Sequence, residues 1–330
     1  MSRLSRHCAV STELALLSDA RLARLVDNAQ ALGVGVGGAS ALLGVAGTPV
    51  FVKRLALTDL ERLPRHVRST ANLFELPTSC HYSVVAHGGG GFGAWRELAA
   101  NTMTTSWVLA GRTEAFPLLY HWRVLPGAPP PAEEHEDIDR AVAYWDGSAA
   151  VRRRLEALAA ASASVVLFLE YVPQRLDAWL REHPDAVGTV EHRLTADVAF
   201  MNANGLLHFD AHFGNILTDG DTLYLTDLGL ATSPRFELSA QERAFLERHR
   251  DHDARYAVRE LLNWIVANVA GITGTTERHA YLRRCAAGAA PDGLPAPFAE
   301  IVTRHAPVAA AMNDFFWKVY GVSRTPPFPE

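Results

Sequence analysis

The stretch Leu207–Ala231, LHFDAHFGNILTDGDTLYLTDLGLA, places two short acidic motifs on either side of a predicted β-hairpin. The first motif is His208-Phe209-Asp210, with Asn215 following it, and the second is Asp227-Leu228-Gly229. A hairpin between them brings two carboxylates and one amide oxygen together. Such oxygen donors suit magnesium and a nucleotide phosphate, and one carboxylate remains to orient a hydroxyl nucleophile. The pattern is therefore typical of phosphoryl transfer.

The composition is that of a folded protein without a strong charge field. Of 330 residues, 48% are hydrophobic and 20% are charged, and the net charge of −5 comes from 31 basic and 36 acidic residues. This balance argues against nucleic acid as the main partner. Three widely spaced cysteines (Cys8, Cys80 and Cys285) argue against a disulfide framework. Neither a signal-peptide core nor an 18-residue apolar run is present, so we expect a soluble cytoplasmic protein without a membrane partner.

The N-terminal part predicts a helix followed by three strands. Ser18–Ala31 has helical spacing, and a glycine-rich turn, Gly33–Ser40, begins the strand region. The third strand carries Lys53. Bare glycine backbone can approach phosphate oxygens closely, but a hairpin that needs positive φ would also account for the glycines. A glycine-rich hairpin followed by a strand lysine resembles the way kinases contact ATP phosphates, and this resemblance implies nucleotide binding at the turn. The candidate residues in the turn are Gly35, Gly37, Gly38 and Ser40.

Two other motifs in the sequence also contain glycines of a known functional pattern. Gly33, Gly35 and Gly38 satisfy the dinucleotide pattern G-x-G-x-x-G, but here a helix precedes the glycines and no helix-forming segment follows. His87 with Gly88–Gly91 resembles the oxyanion loop of esterases, but the chain has no G-x-S-x-G motif. A surface insertion or mobile loop is the preferred interpretation of that second run.

The next segments predict a helix, an insertion and a buried strand. Ala94–Leu109 has a helical stripe that carries Glu97, and it leads into a strand at Phe116–Trp122. A proline-rich linker then opens a mainly helical insertion over residues 126–161, and Val165–Leu169 is an apolar run typical of a buried strand. From Arg175 onward the pattern is mainly helical, most clearly at Asp253–Ala270.

The motifs, taken in order, resemble those of the protein-kinase-like superfamily. His208–Asn215, HFDAHFGN, is similar to the H-G-D-x-H-x-x-N loop of the aminoglycoside phosphotransferase and choline kinase branch, although Phe209 stands where glycine or arginine is common. Asp227–Ala231, DLGLA, instead resembles the D-F-G-L-A motif of protein kinases, but no A-P-E motif follows. The resemblance covers roughly Leu32 to Gly271. It implies an α+β, bilobal protein-kinase-like fold, with a β-rich N-lobe over residues 1–172 and a helical C-lobe over residues 173–330.

The resemblance also implies roles for individual residues, with ATP and Mg2+ as cofactors. Asp210 would be the catalytic base, and Asn215 and Asp227 would hold magnesium. Lys53 would contact the ATP phosphates, with Glu97, or its rival Glu75, positioning it. Residues 170–172 would form the hinge beside the adenine, and its candidate residues are Glu170 and Val172.

The expected activity is transfer of the ATP γ-phosphate to a hydroxyl group of a small molecule. A Ser/Thr kinase acting on a protein or precursor peptide is the alternative, because DLGLA resembles protein kinases. A nucleotide-binding pseudokinase is a weaker third possibility. His208 and His212 also suggest zinc, but a third convincing ligand is missing from the sequence. Four acidic residues after Ala231 fit a solvated helix better than a site for a cationic substrate: Glu237, Glu242, Asp251 and Asp253.

Overall fold

The computed structural model describes residues 2–35, 37–82 and 90–329 of the chain. The chain forms two compact units. The first comprises Met1–Val172 together with Asp227–Arg243, and the second comprises Pro173–Thr226 together with Ala244–Glu330. The architecture is α+β, as predicted, with a sheet in the first unit and mainly helices in the second.

Within the described part of the first unit, five strands form one antiparallel sheet with the order β1-β2-β3-β5-β4. The strands are β1 (Gln30–Gly35), β2 (Gly38–Val45), β3 (Thr48–Leu57), β4 (Leu119–Pro126) and β5 (Ala163–Glu170). The three strands predicted around the glycines are confirmed, and so is the buried strand β5. The strand predicted at Phe116–Trp122 instead begins at Leu119, where its pairing with β5 starts.

Helices cover both faces of this sheet. On one face lie α1 (Arg3–Ala15) and α2 (Asp19–Asp27), whose buried side chains include Val10 and Leu22. On the other face lies α4 (Ala94–Leu109), which buries Trp95 and Leu98 against the strands. The bounds predicted for α4 are confirmed.

The N-terminal helix prediction was wrong in part. Ser18 does cap α2 by accepting a hydrogen bond from the Arg21 backbone, but the helix ends at Asp27. Asn28 is the C-cap of this helix, and the last two predicted residues, Gln30 and Ala31, belong to β1 and pair with β2. Helix α1 was not predicted.

Shorter helices complete the first unit. They are α3 (Asp59–Arg62), α5 (Ile138–Tyr144) and α6 (Ala149–Ala159), of which the last two lie in the predicted helical insertion. Within the predicted glycine loop near residue 90, His87, Gly88 and Gly89 lie outside the described residues, whereas Gly90 and Gly91 are described and adopt positive φ.

The second unit contains helices around a small sheet. Its helices are α7 (Leu176–Glu182), α8 (Val187–Ala203), α10 (His252–Asn268), α11 (Thr275–Ala286) and α12 (Ala296–Gly321), and α9 (Ala240–Arg248) begins in the 227–243 segment. Three short strands, β6 (Gln174–Arg175), β7 (Ile216–Thr218) and β8 (Leu223–Leu225), pair antiparallel among the described residues. The predicted hairpin between the two acidic motifs is thus formed by β7 and β8. Across residues 2–35, 37–82 and 90–329, no helix combines the length and apolar character needed to cross a membrane.

Candidate active site

Lys53 points toward the α4 face of the sheet because of its position in β3. Successive side chains of a strand alternate between its faces. Val50 and Val52 pack in the core beneath α1 and α2, whereas Leu55 and Leu57 pack in the core beneath α4. Lys53 has the parity of Leu55 and is only 7% exposed. It is therefore not a solvated charge at a strand edge.

Two carboxylates neutralise this buried ammonium group. The Nζ atom of Lys53 donates to Glu97 Oε1 at 2.7 Å and to Asp227 Oδ1 at 2.8 Å. Burial works against the charged form of Lys53, but the attraction of Asp227 and Glu97 outweighs it and raises the pKa of Lys53. Lys53 therefore stays protonated and is held between the two acids.

Glu97, and not Glu75, is the partner of Lys53. Glu75 is exposed, and its nearest cation is Arg153, at 3.9 Å between Oε2 and Nη2. Glu97 is buried on the inner face of α4. Burial raises the pKa of Glu97 to about 7, an effect that Lys53 opposes and that Asp227 reinforces.

The glycine-rich turn lies directly over this charge cluster. A Cβ atom at Gly37 would sit 3.0 Å from Lys53 Nζ and 3.3 Å from Asp227 Oδ2, so a side chain there would press on the charged ends of both residues. Gly38 has φ +114°, and its Cβ would lie 2.1 Å from the Arg54 carbonyl oxygen. The requirement for glycine is thus strongest at these two positions.

The other candidates in the turn are less constrained. A side chain at Gly35 would meet nothing within 4 Å. The Ser40 hydroxyl donates to the Gly33 carbonyl oxygen at 3.2 Å, so it braces the hairpin itself. Ser40 is also the cross-strand partner of Lys53 in the register of β2 and β3.

The Asp-Leu-Gly motif is shaped by its contact with Lys53 and Glu97. Asp227 adopts a left-handed backbone conformation, with φ 57°. A Cβ at Gly229 would lie 3.2 Å from Glu97 Oε2 and 3.3 Å from Asp227 Oδ1. The glycine of the motif thus lets the chain turn tightly against both acids.

In the second unit, Asp210 is oriented by Asn215. The Asn215 Nδ2 atom donates to the Asp210 backbone oxygen at 3.0 Å and to its Oδ2 atom at 3.1 Å. His212 Nε2 lies 3.7 Å from Asp210 Oδ1. Because the Asn215 amide donates through nitrogen, its oxygen remains the atom that can serve as a cation ligand.

His208 braces the loop that carries Asp210. Its Nδ1 atom accepts from the Asp210 backbone N–H at 3.3 Å, so Nε2 carries the proton and donates to the Thr226 carbonyl oxygen at 2.8 Å. Thr226 in turn donates from its backbone nitrogen to the Asn215 carbonyl oxygen at 2.9 Å. These contacts make His208 a structural hydrogen-bonding residue of the loop.

Asp253 is a residue of this loop that the sequence interpretation missed. It was grouped with solvated acids, but it is fully buried. Its Oδ2 accepts the His208 backbone N–H at 2.7 Å and its Oδ1 accepts the Phe209 N–H at 2.9 Å. A further bond from Asn202 Nδ2 to Oδ2 measures 2.8 Å. Asp253 therefore fixes the backbone immediately before Asp210.

Phe209, the residue before Asp210, combines a left-handed backbone with a buried side chain. Its backbone has φ 63°, a left-handed conformation that normally favours glycine. The ring is fully buried and packs on Phe245 and His252, with centroid distances of 5.5 and 4.7 Å. Aromatic packing thus offsets the backbone strain.

At the end of β5, the Glu170 carboxylate is bound by the N-terminal helix. Arg3 Nη2 lies 2.5 Å from Glu170 Oε2, and Arg6 Nη2 lies 2.9 Å from Oε1. The Leu118 backbone N–H also donates to Oε2, at 3.2 Å. Val172 is buried two residues later. The Glu170 carboxylate is therefore engaged within the first unit, and its backbone N–H also donates to the Leu118 carbonyl oxygen, at 2.8 Å.

The metal-binding capacity of the described residues is limited. Among residues 2–35, 37–82 and 90–329, no group of three or more His, Cys, Asp or Glu side chains could hold a metal ion. Asn215 and Asp227 offer one amide oxygen and one carboxylate. Each residue, within its own unit, offers an oxygen of the kind that Mg2+ prefers, and Mg2+ takes waters and phosphate oxygens as its other ligands.

Comparison with known proteins adds no relative to this picture. No protein-family model matches the chain, and neither does any curated protein sequence.

Proposed function

We propose that this protein is an ATP- and Mg2+-dependent phosphotransferase with a kinase-like bilobal fold. The observation that carries the proposal is Lys53, buried between Glu97 and Asp227 beneath the backbone of Gly37. A buried ammonium group that two acids orient under a glycine turn suits the binding of nucleotide phosphates. The close approach of Gly37 leaves bare backbone beside the ammonium group, where phosphate oxygens could be bound.

In this proposal, the site residues of the first unit bind the nucleotide. The bound nucleotide with its magnesium supplies the transferable phosphoryl group and neutralises its developing charge. Lys53 offers a cation to the α- and β-phosphates, and Glu97 keeps it pointing away from the sheet. Asp227 would supply a carboxylate ligand to the magnesium ion. Gly37 and Gly38 offer bare backbone to phosphate oxygens.

In this proposal, the loop of the second unit that carries Asp210 orients the hydroxyl group that accepts the phosphate. Asp210 accepts or orients the proton of the attacking hydroxyl, and Asn215 holds the Asp210 carboxylate in one direction while its own amide oxygen serves the cation. His208 and Asp253 hold the loop backbone. The similarity of HFDAHFGN to small-molecule kinases favours a small-molecule hydroxyl as the acceptor.

The Asp210→Asn variant tests this proposal. We expect at least a 100-fold loss of ATP-dependent phosphoryl transfer, since a positioned general base contributes about 10²–10⁴-fold. ATP binding, measured by titration calorimetry, should persist. Asp221→Asn removes an exposed acid from the nearby β7–β8 turn and is the matched control, expected to retain activity. Full turnover in Asp210→Asn would refute the assigned role.

A peptide or protein hydroxyl is the second candidate acceptor, because DLGLA and its Lys53–Asp227 contact resemble protein kinases. Transfer of label from γ-labelled ATP, with hydroxylated metabolites and Ser/Thr peptides offered in parallel, separates the two. ATP binding without transfer to either class would favour a pseudokinase.

A further inference from the structure

Arg96, the residue before Glu97 on α4, is buried and makes several directed contacts. It is only 1% exposed. Its Nη2 atom lies 2.6 Å from Glu242 Oε1, and its Nε atom donates to the Thr70 carbonyl oxygen at 2.6 Å. The guanidinium also lies over the Phe92 ring, 5.0 Å from its centroid. No role for Arg96 follows from the nucleotide site described above.

Glu242 is equally buried and is fixed from its own side. It is 4% exposed. Its second carboxylate oxygen, Oε2, accepts the Ser239 backbone N–H at 2.9 Å, while the Ser239 hydroxyl accepts the Glu242 N–H at 3.2 Å. This reciprocal pair is a capping box at the start of α9. The earlier grouping of Glu242 with solvated acids is therefore wrong.

The Arg96–Glu242 pair connects α4 to the segment that also carries the metal motif. Residues 227–243 fold as part of the first unit. Near one end of this segment, Gly229 lies against the Glu97 carboxylate, and at the other end Glu242 binds Arg96. The segment therefore contacts two consecutive side chains of α4.

Consecutive helical residues point about 100° apart around the helix axis. When the contacts of Arg96 fix the rotation of α4 about its axis, they also fix the direction in which the neighbouring Glu97 side chain points. A buried ion pair contributes little net stability compared with apolar packing, but its geometry is specific. The main effect of this ion pair is therefore to fix the orientation of α4, and not to add stability.

We propose that Arg96 and Glu242 are positioning residues, whose buried ion pair sets the rotation of α4 so that Glu97 meets Lys53 beside Asp227. The inference deepens the proposed function and rests on it. Loss of the pair lets α4 rotate, separates Glu97 from Lys53 and weakens the binding of nucleotide phosphates, while Asp210 is unaffected.

A double-mutant cycle between Glu242 and Glu97 tests the inference. Glu242→Gln is expected to lower kcat/KM for ATP at least about 10-fold, mainly through KM, whereas in a Glu97→Gln background the same change should cost less than about 2-fold. Equal fold losses in both backgrounds would overturn the proposal, because the pair would then act independently of Glu97. Glu237→Gln, in the same segment, is the matched control and should retain wild-type kinetics.

A second variant separates orientation from stability. Arg96→Met combined with Glu242→Gln removes the unpaired buried charge that Glu242→Gln alone leaves on Arg96, while glutamine keeps the capping contact with Ser239, so the melting temperature lost in Glu242→Gln should be restored. We expect the raised KM for ATP to persist in this stable variant. Recovery of both properties together would show that the pair is only structural and would overturn the proposal.

A readout that does not require turnover distinguishes failure of this inference from failure of the proposed function. The reactivity of Lys53 toward an acylating reagent, followed by mass spectrometry, should rise at least several-fold in Glu242→Gln and stay unchanged in Glu237→Gln. An unchanged Lys53 reactivity in Glu242→Gln refutes the positioning role. If the wild-type protein transfers no phosphate, but Lys53 reactivity still rises in Glu242→Gln, only the proposed function is refuted.

Discussion

Replacing Asp253 by Asn is expected to remove a large part of the stability of the second unit. The carboxylate accepts the backbone N–H groups of His208 and Phe209 on different oxygens, and it accepts Asn202 as well. Asparagine keeps one oxygen but turns an NH2 group toward at least one of these buried donors. A hydrogen bond to a charged group contributes about 1.5–3 kcal/mol, and the remaining bonds also lose their charge. The sum is about 3–5 kcal/mol, compared with a typical total of about 5–15 kcal/mol.

Urea unfolding followed by circular dichroism measures this loss as a lower midpoint at an unchanged slope. Asp251→Asn is the matched control, because Asp251 is half-exposed and forms a surface ion pair with Arg255, so its loss should cost less than about 1 kcal/mol. An Asp253→Asn variant within about 1 kcal/mol of wild type would falsify the argument. The difference in free energy of unfolding between wild type and Asp253→Asn should also become smaller on acidification. Burial raises the pKa of Asp253, but hydrogen bonds and the adjacent His252 outweigh it and lower that pKa. A lowered pKa gives stability above pH 3.8 that is lost as the pH falls below it.

Three further predictions concern the glycine turn, the ion pair and the Asp210 loop. Gly38→Ala should lower the free energy of unfolding by about 1–3 kcal/mol, because its Cβ would meet the Arg54 carbonyl oxygen at 2.1 Å, whereas Gly44→Ala, with open space around it, should be neutral in the same denaturation assay. Burial raises the pKa of Glu97 from 4.5 to about 7, so its contribution to stability is full below pH 4.5 and is lost as the pH rises to about 7. Between pH 4.5 and about 7, the melting temperature of Glu97→Gln should therefore rise relative to that of wild type. A difference in melting temperature that does not change with pH would contradict the raised pKa of Glu97. Phe209→Gly should be more stable than Phe209→Ala by about 0.5–1 kcal/mol, since φ 63° suits glycine, and the opposite order would contradict the backbone strain.

Much of the first unit could be predicted because its signals are local. The apolar run of β5, the helical stripe of α4 and the glycines before Lys53 each lie within one short window of sequence. The alternation of β3 then suffices to turn Lys53 toward α4. Helix α1 was missed although a signal exists, because Ser2 caps it and Val10 and Leu14 have helical spacing.

The buried acids could not be predicted because their partners are distant in sequence. Glu242 and Asp253 lie among Arg and His residues, as solvated helical acids do. Their burial depends on Arg96, 146 residues away, and on the His208 backbone, 45 residues away. Burial of a charge is a tertiary property, and no periodicity within a single helix reports it.

The inclusion of residues 227–243 in the first unit has a consequence for biosynthesis. Translation delivers Val172 long before this segment, so the growing chain carries an unfinished first unit while residues 173–226 are made. The delay until the segment is complete covers the 71 residues from 173 to 243, and at about 5–20 residues per second it is roughly 4–14 s. Throughout it, the guanidinium of Arg96 lacks the carboxylate that neutralises it in the finished protein. The nascent chain should therefore be most susceptible to proteases and most dependent on chaperones during this interval, and a fragment ending at residue 172 should not reach the native state of the first unit.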